Sequence, residues 1–270
     1  MELKATRYEV TGRVGLITLS KPDRGNAWTG RMDTEYRWSL AQADADPAVR
    51  VIVIAGDGQR FCVGGDSQAL EGHVARGGYD RGLSDVQANP GYGLSPAFDH
   101  PFAAHYGLSK PVIAAVQGAA AGIGMALATF ADLRFASPGT KFTTAHGKLG
   151  LPPEYGLSWM LPRIVGLTRA LDILLSSRVM LAEEALEWGY LNAIHPADEL
   201  LDRVLDYAEQ LASGVAAGSL RETRQQVYLD LHRDVGTSVT ESLRLLDSMM
   251  KHPEYREGVQ ALVEKRPPDF

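Results

Sequence analysis

In TTAHGKLGLPPEYG, residues 143 to 156, His146 and Glu154 stand eight positions apart among Gly, Pro and small or apolar neighbours. An imidazole titrates near pH ~6.5, so it gives or takes a proton close to neutrality without tuning. Glu154 follows Pro152 and Pro153 at an expected helix start, beside apolar Leu151, Tyr155 and Leu157. Partial desolvation there would raise its pKa into the range useful for proton transfer. The pair can therefore act on a weakly acidic C–H bond or activate a water. Each residue also has an ordinary explanation: a histidine bonded to nearby backbone or lining a wall, and a glutamate whose charge suits a helix N-terminus.

Proton removal from carbon leaves charge on the adjoining carbonyl oxygen, which needs preorganised donors. Two glycine-rich turns can supply them. In GQRFCVGGDS (58 to 67), Gly64 and Gly65 permit positive φ and close approach, and Val63 is expected to offer its amide. In QGAAAGIGMALATFAD (117 to 132), Gly118, Gly122 and Gly124 lead into a helix whose first amides favour an anion, which puts Ile123 and Gly124 beside it. Two amides converging from separate strand-to-helix turns suit a thioester enolate. Taken singly, either turn is also what any α/β fold uses to leave a strand.

The elements that must position these groups alternate. Val14 to Leu19 predicts a strand, Gly30 to Asp44 a helix, and Val49 to Ala55 a strand covered on both faces. Lys110 to Val116 and Asp132 to Ala136 repeat the strand signal, with a small-residue helix expected over Ala119 to Phe130. From Leu167 the pattern turns helical: TRALDILLSSR, AEEALEWG, a short strand in LNAIHP, then helices over Asp198 to Ala212 and Leu220 to Met250. A core over 1–200 and a helical region over 201–270 are expected, the latter packing on the core or on a neighbouring subunit. The segment from Asp66 to Lys110, with ARGGYDRGLSD and NPGYGLSPAFDHP, is either a pocket-shaping loop or a solvated insertion. His105, Tyr92 and Asp99 within it are further polar groups that can reach a pocket.

The chain has 270 residues, 45% hydrophobic and 22% charged, with net charge −6 and scattered basic residues, which argues against a nucleic-acid or anionic-membrane partner. No window reaches the roughly 18 apolar residues that a spanning helix needs. One cysteine, Cys62, and an N-terminus without a signal-like apolar run set a cytoplasmic location as the expectation.

The chain resembles the crotonase (enoyl-CoA hydratase/isomerase) superfamily. The residues that carry the likeness are KPDRGNAW (21 to 28), FCVGGD (61 to 66), KPVIAAVQGAAAGIGMALATFADLRFAS (110 to 137), KLGLPPEYGLSWMLPRIVG (148 to 166) and AEEALEWGYLNAIHP (182 to 196), in that order. The resemblance implies an α/β fold of repeated ββα units with a helical C-terminal portion, and a homotrimer or dimer of trimers. It implies an acyl-CoA substrate, coenzyme A entering as part of that substrate, with no metal and no tightly bound cofactor. It carries the oxyanion hole onto the amides of Val63 and Ile123, with Gly64 and Gly122 in the turns, and places Asn26, Ala27 and Trp28 along the CoA path. Lys21 and Arg24 become phosphate partners, or else charges on a solvated loop. Asp66 closes the first oxyanion turn and caps the next helix. Lys265 and Phe270 resemble a tail that reaches a nucleotide.

Two positions depart from the resemblance. Hydratases of the family add water with two glutamates, and the corresponding positions here are Ala126 and His146. The Glu154 position is one where similar dienoyl-CoA isomerases and a chlorobenzoyl-CoA dehalogenase carry an aspartate acting as base or nucleophile. Isomerisation needs one base that removes a proton and returns it elsewhere, so it is harmed least by these losses. The functions in view are therefore isomerisation or atypical hydration of an acyl-CoA, hydrolytic C–C cleavage of a β-dicarbonyl-like substrate, and non-catalytic acyl-CoA binding.

Overall fold

In the computed structural model, residues 1–77 and 87–270 are described. The chain runs β1 (Thr6–Thr11), β2 (Val14–Leu19), α1 (Gly30–Ala45), β3 (Val51–Gly56), α2 (Ser67–Arg76), β4 (Val112–Val116), β5 (Ala119–Ala121), α3 (Ile123–Thr129), β6 (Leu133–Ala136) and β7 (Lys141–Thr143). It continues with α4 (Leu157–Val165), α5 (Leu167–Ser176), β8 (Met180–Leu181), α6 (Ala182–Glu187), β9 (Ala193–Ile194), α7 (Leu200–Gly214), α8 (Ala217–Asp230), α9 (Val235–Met249) and α10 (Pro253–Glu264). Residues 78–86, which hold most of ARGGYDRGLSD, lie outside the described residues.

Six strands form one sheet in the order β1-β2-β3-β4-β6-β9, and three form another, β5-β7-β8. Only β1 joins the first sheet antiparallel; the remaining pairings in it are parallel. The repeat is visible in β4, β5 and α3, then in β6, β7 and α4: each unit gives one strand to each sheet before a helix.

The β-branched run of β3 is covered on both faces, as its composition requires. Ile52 and Ile54 join a cluster with Met32, Tyr36 and Leu40 of α1. Val51, Val53 and Ala55 join another with Leu200, Val204, Ala208 and Ala212 of α7. Helix α7 is thus part of the core, and the boundary expected at residue 200 falls at its first residue.

Three expectations change. Ala119 to Ala121 is a strand, not the start of a helix: it pairs in parallel with Lys141 to Thr143, and Gly122, at φ 49° and ψ −114°, turns the chain into α3. The helical run from Leu220 to Met250 is two helices, because the Asp234 side chain caps a new one by accepting from the Thr237 amide. The segment after Asp66 opens with α2 and returns through a 3₁₀ turn at Ala103–Gly107 that buries Ala104, His105 and Tyr106.

That turn is clamped by α8. The buried Arg224 donates to Asp132 at 2.7 Å and to the carbonyls of Leu108 at 2.8 Å and His105 at 2.5 Å, while the Tyr228 hydroxyl donates to Asp132 at 2.5 Å. Tyr228 stacks on Tyr106 with ring centroids 3.7 Å apart. Removing one member of such a buried ion pair leaves the other uncompensated. Arg224→Met is expected to cost about 3–5 kcal/mol in urea unfolding; a loss below about 1 kcal/mol would mean that α8 is not what holds the turn.

Candidate active site

The two glycine turns are joined by backbone. Cys62 donates to the Ala119 carbonyl at 3.0 Å and accepts from the Ala121 amide at 2.9 Å, a parallel bridge between Cys62 and Ala120. Gly124 lies so close that a Cβ there would stand 2.2 Å from the Cys62 carbonyl oxygen, and one on Gly122 would stand 3.9 Å from the Gly64 Cα. The turns therefore face each other at a fixed spacing. Burial pushes the Cys62 thiol up to about 12, so it stays protonated packing material.

The amides available at this junction are not the pair expected. Val63 donates its N–H to the Gly25 carbonyl at 3.1 Å, so it has none to offer a ligand. Trp28 donates to the Gly64 carbonyl at 2.7 Å and accepts from Asp66 at 3.1 Å, which turns the intervening Gly65 amide away from Trp28. Among the described residues that amide has no acceptor, and neither has that of Ile123, the first residue of α3. The strand-to-helix geometry was legible in the sequence; which amide the bridge consumes was not.

The loop from Lys21 to Trp28 is strapped onto the first turn. Asn26 is fully buried, and its side chain accepts from the Lys21 amide at 2.7 Å and donates to the carbonyls of Asp57 at 3.0 Å and Arg60 at 2.7 Å. Its side-chain polar atoms are thus engaged within the chain, which makes it a clamp for the loop. Arg24 pairs with the buried Asp66 at 3.0 Å. Ala27 is buried, and so is Trp28, whose ring packs edge-on against Phe102 at 5.6 Å and Tyr36 at 5.5 Å. Lys21 keeps an ammonium group without an ion-pair partner among the described residues.

The second turn is tied to the His146 segment. Gly122 donates to the Thr143 carbonyl at 2.9 Å, placing the end of β7 beside it. Ala145, at φ 57°, then bends the chain so that His146 is buried, held by its backbone bonds to Thr144 and Leu151. Its Nδ1 is buried with no hydrogen-bond partner. Ser177 supports the bend from below, accepting from the Gly147 amide at 3.0 Å and from the Thr144 hydroxyl at 3.3 Å.

Glu154 is half-buried, and burial raises its carboxyl above the ordinary range while the neighbouring His146 pulls it back down. It directly precedes Tyr155 and Gly156, and a Cβ on Gly156 would touch the Phe130 ring at 3.2 Å. The backbone just after Glu154 is thus held against the ring of Phe130, which follows the helix that Ile123 begins. Ala126, one turn into that helix, is completely buried.

His105 is not a proton-transfer group here. It bonds the Tyr36 hydroxyl at 2.7 Å and the Phe130 carbonyl at 3.3 Å, and burial lowers its pKa to about 4. Asp99 accepts from the Gly93 amide within its own loop, and Tyr92 lies under Arg37. Phe270 is likewise engaged internally, its carbonyl accepting from Arg13 at 2.7 Å.

A model of the family described as enoyl-CoA hydratase/isomerase matches residues 9–270. The chain belongs to the enoyl-CoA hydratase/isomerase family. Among its relatives, a 1,2-epoxyphenylacetyl-CoA isomerase of Escherichia coli is 32% identical over 265 residues, covering 94% of this chain and 93% of its own. A protein of Rhodobacter capsulatus named as a probable enoyl-CoA hydratase is 33% identical over 270 residues, covering 100% and 99%. The crystal structure of an enoyl-CoA hydratase subunit from Geobacillus kaustophilus superposes with a TM-score of 0.85 at 27% identity, covering 100% of this chain and 99% of that one. The chain shares the fold and the enzyme class of this family, lyases and isomerases of CoA thioesters.

The closeness of Gly124 to Cys62 supplies a stability test. Gly124→Ala must push a methyl group into a carbonyl, and overpacking of this kind costs about 1–3 kcal/mol. Gly214→Ala, at the end of α7 with open space around it, is expected to stay within about 0.5 kcal/mol of the parent. Chemical denaturation of the two variants side by side checks this; equal stability would refute the constraint.

Proposed function

We propose that the protein isomerises an acyl-CoA thioester through an enolate, with Glu154 as the base that moves the proton. The observation that carries this is the half-buried Glu154, with its raised pKa, beside a buried His146. The Glu154 carboxylate takes a proton from a carbon conjugated with the thioester carbonyl, and the electron pair moves onto the thioester oxygen. The amides of Gly65 and Ile123 receive that charge, and the same carboxyl returns the proton at another carbon, so no atom is gained or lost. The buried, unpartnered Nδ1 of His146 supplies a second polar contact for the acyl group. Ala126 in place of a hydratase glutamate supports this choice over hydration, and an isomerase stands among the relatives beside the probable hydratases.

The CoA moiety enters past Lys21, whose ammonium group is open to a phosphate. The reading needs no metal and no resident cofactor. Hydrolytic C–C cleavage is favoured by one feature, the buried histidine next to a carboxylate, which suits water activation. The reading takes the cytoplasm as the compartment, with which a chain holding one buried free cysteine is consistent. Among the described residues no helix is long and apolar enough to cross a membrane.

Solvent deuterium exchange into acyl-CoAs tests the proposal directly. Exchange at carbon without net water addition is expected, and Glu154→Gln is expected to lower it about 10²–10⁴-fold while binding persists. Thioesters that bind but never exchange, with Glu154→Gln indistinguishable from the parent, would make the protein a binder. Because only the ionised carboxylate accepts a proton, kcat/KM should fall as pH drops through the Glu154 pKa. Since that pKa is raised, the acid limb should lie above the ~4.3 of an exposed glutamate. A flat profile across that range would exclude Glu154 as the base.

The proposal includes a homotrimer or a dimer of trimers. Helix α9 buries none of its residues within the chain, yet Val235, Val239, Leu243, Leu246 and Met250 recur along it at helical spacing and are exposed. Such a stripe calls for a covering surface. Light scattering should give three or six times the chain mass, and Leu243→Asp combined with Leu246→Asp should give a smaller species; a monomeric parent would overturn the assembly.

A further inference from the structure

A cavity of about 380 Å³ opens between the segment Ala97–Tyr106, the end of α3 and the start of α4. Its wall is a continuous arc of rings. Phe130 meets Tyr106 at 5.3 Å, Tyr106 meets Phe98 at 5.8 Å, Phe98 meets His232 at 6.0 Å, and His232 stacks on Trp159 at 5.3 Å with planes 9° apart. Arg163 covers Trp159 at 3.9 Å, so the indole is fixed in place. Tyr155, directly after Glu154, also lines the cavity, and its ring packs on Phe102, which packs on Trp28 beside the first oxyanion turn. The cavity therefore adjoins the residue that carries the proposed base.

Resting on the acyl-CoA reading above, we infer that this cavity selects an acyl group bearing an aromatic ring over a straight aliphatic chain. Size permits it: a cavity of about 150 Å³ is enough to hold benzene, and this one is more than twice that. Shape and chemistry favour it. Ring faces and edges reward a planar aromatic guest in offset or edge-on contact, whereas a flexible alkyl chain gains only burial and loses rotamer freedom. The wall is already ordered by its own ring contacts, so little of it has to be organised when the guest enters. One turn of α3 or more separates Ile123 from Phe130, a span on the order of 10 Å along the helix. A thioester held at the glycine turns can thus place a ring, but not the thioester itself, in the arc.

Calorimetric titration with saturated thioesters, which bind without isomerising, tests this on the full chain. The probes are 3-phenylpropanoyl-CoA, nonanoyl-CoA of equal carbon count, and acetyl-CoA. The phenyl thioester is expected to bind about tenfold tighter than nonanoyl-CoA, the factor that two well-placed ring contacts supply. Ala103→Trp, which fills the cavity, should remove that preference while acetyl-CoA binds as before; Trp159→Ala, which takes away one ring of the wall, should shrink it. Should Ala103→Trp not fold, the Trp159→Ala comparison alone decides. Nonanoyl-CoA binding as tightly as the phenyl thioester, or a preference unmoved by either variant, would overturn the inference and leave the acyl-CoA reading standing. No binding of any thioester, acetyl-CoA included, would overturn both.

Discussion

The contact on which the site depends is between backbones: the Cys62 carbonyl against Gly124, with the Cys62–Ala120 bridge beside it. Any side chain at position 124 would separate the two turns, and with them the amides of Gly65 and Ile123. Distance matters more than side-chain identity here, because a donor stabilises a developing charge only when it is already in place. The sheet supplies the rigidity. β3 and β4 lie side by side, their register fixed from Ile52 with Val112 to Ala55 with Ala115, and each runs directly into one of the turns.

Around this junction the chain repeatedly takes a backbone shape that L-residues avoid. Five of the six described non-glycine residues with positive φ are Asn26, Phe102, Ala145, Tyr155 and Ser177, and all border the two turns, the His146 segment or the ring cavity. Conformations of this kind cost on the order of 1–3 kcal/mol each and persist only where the surroundings over-determine them. The surroundings do so here. Three side-chain hydrogen bonds hold Asn26, ring packing holds Phe102 against Trp28 and Tyr155, and the Ser177 hydroxyl accepts from both Thr144 and Gly147. Strain concentrated at one place in an otherwise regular fold is what a preorganised pocket requires.

These features differ in how far the sequence discloses them. β3 and β4 were legible because a parallel strand buried on both faces reads as a β-branched or apolar run, and the glycine turns because few other residues bend so tightly. Helix α7 showed its apolar stripe, although not that the stripe faces the main sheet. The β5 alanines were misleading because alanine is a strong helix former, and only pairing with β7, distant in sequence until folded, makes them a strand. Val63 differs from expectation for a similar reason: its amide donates to the carbonyl of Gly25, on another loop. The ring cavity joins Phe98, Phe130, Trp159 and His232, which no local pattern connects.

Under the proposed isomerisation, Ala126 and His146 together fit one-base chemistry at this site. Like charges sharing a half-buried site drive one of the two to hold its proton, so a site with one carboxylate keeps that carboxylate ionisable. Ala126 is fully buried, and the His146 near Glu154 favours the carboxylate form. A single carboxylate raised by burial yet kept ionisable by an imidazole is matched to shuttling one proton between carbons, a task in which base and acid are the same group at successive moments. The imidazole has its own reason to remain. A buried ring nitrogen left without a partner costs about 1–3 kcal/mol, a penalty that a ligand's polar group would relieve on binding.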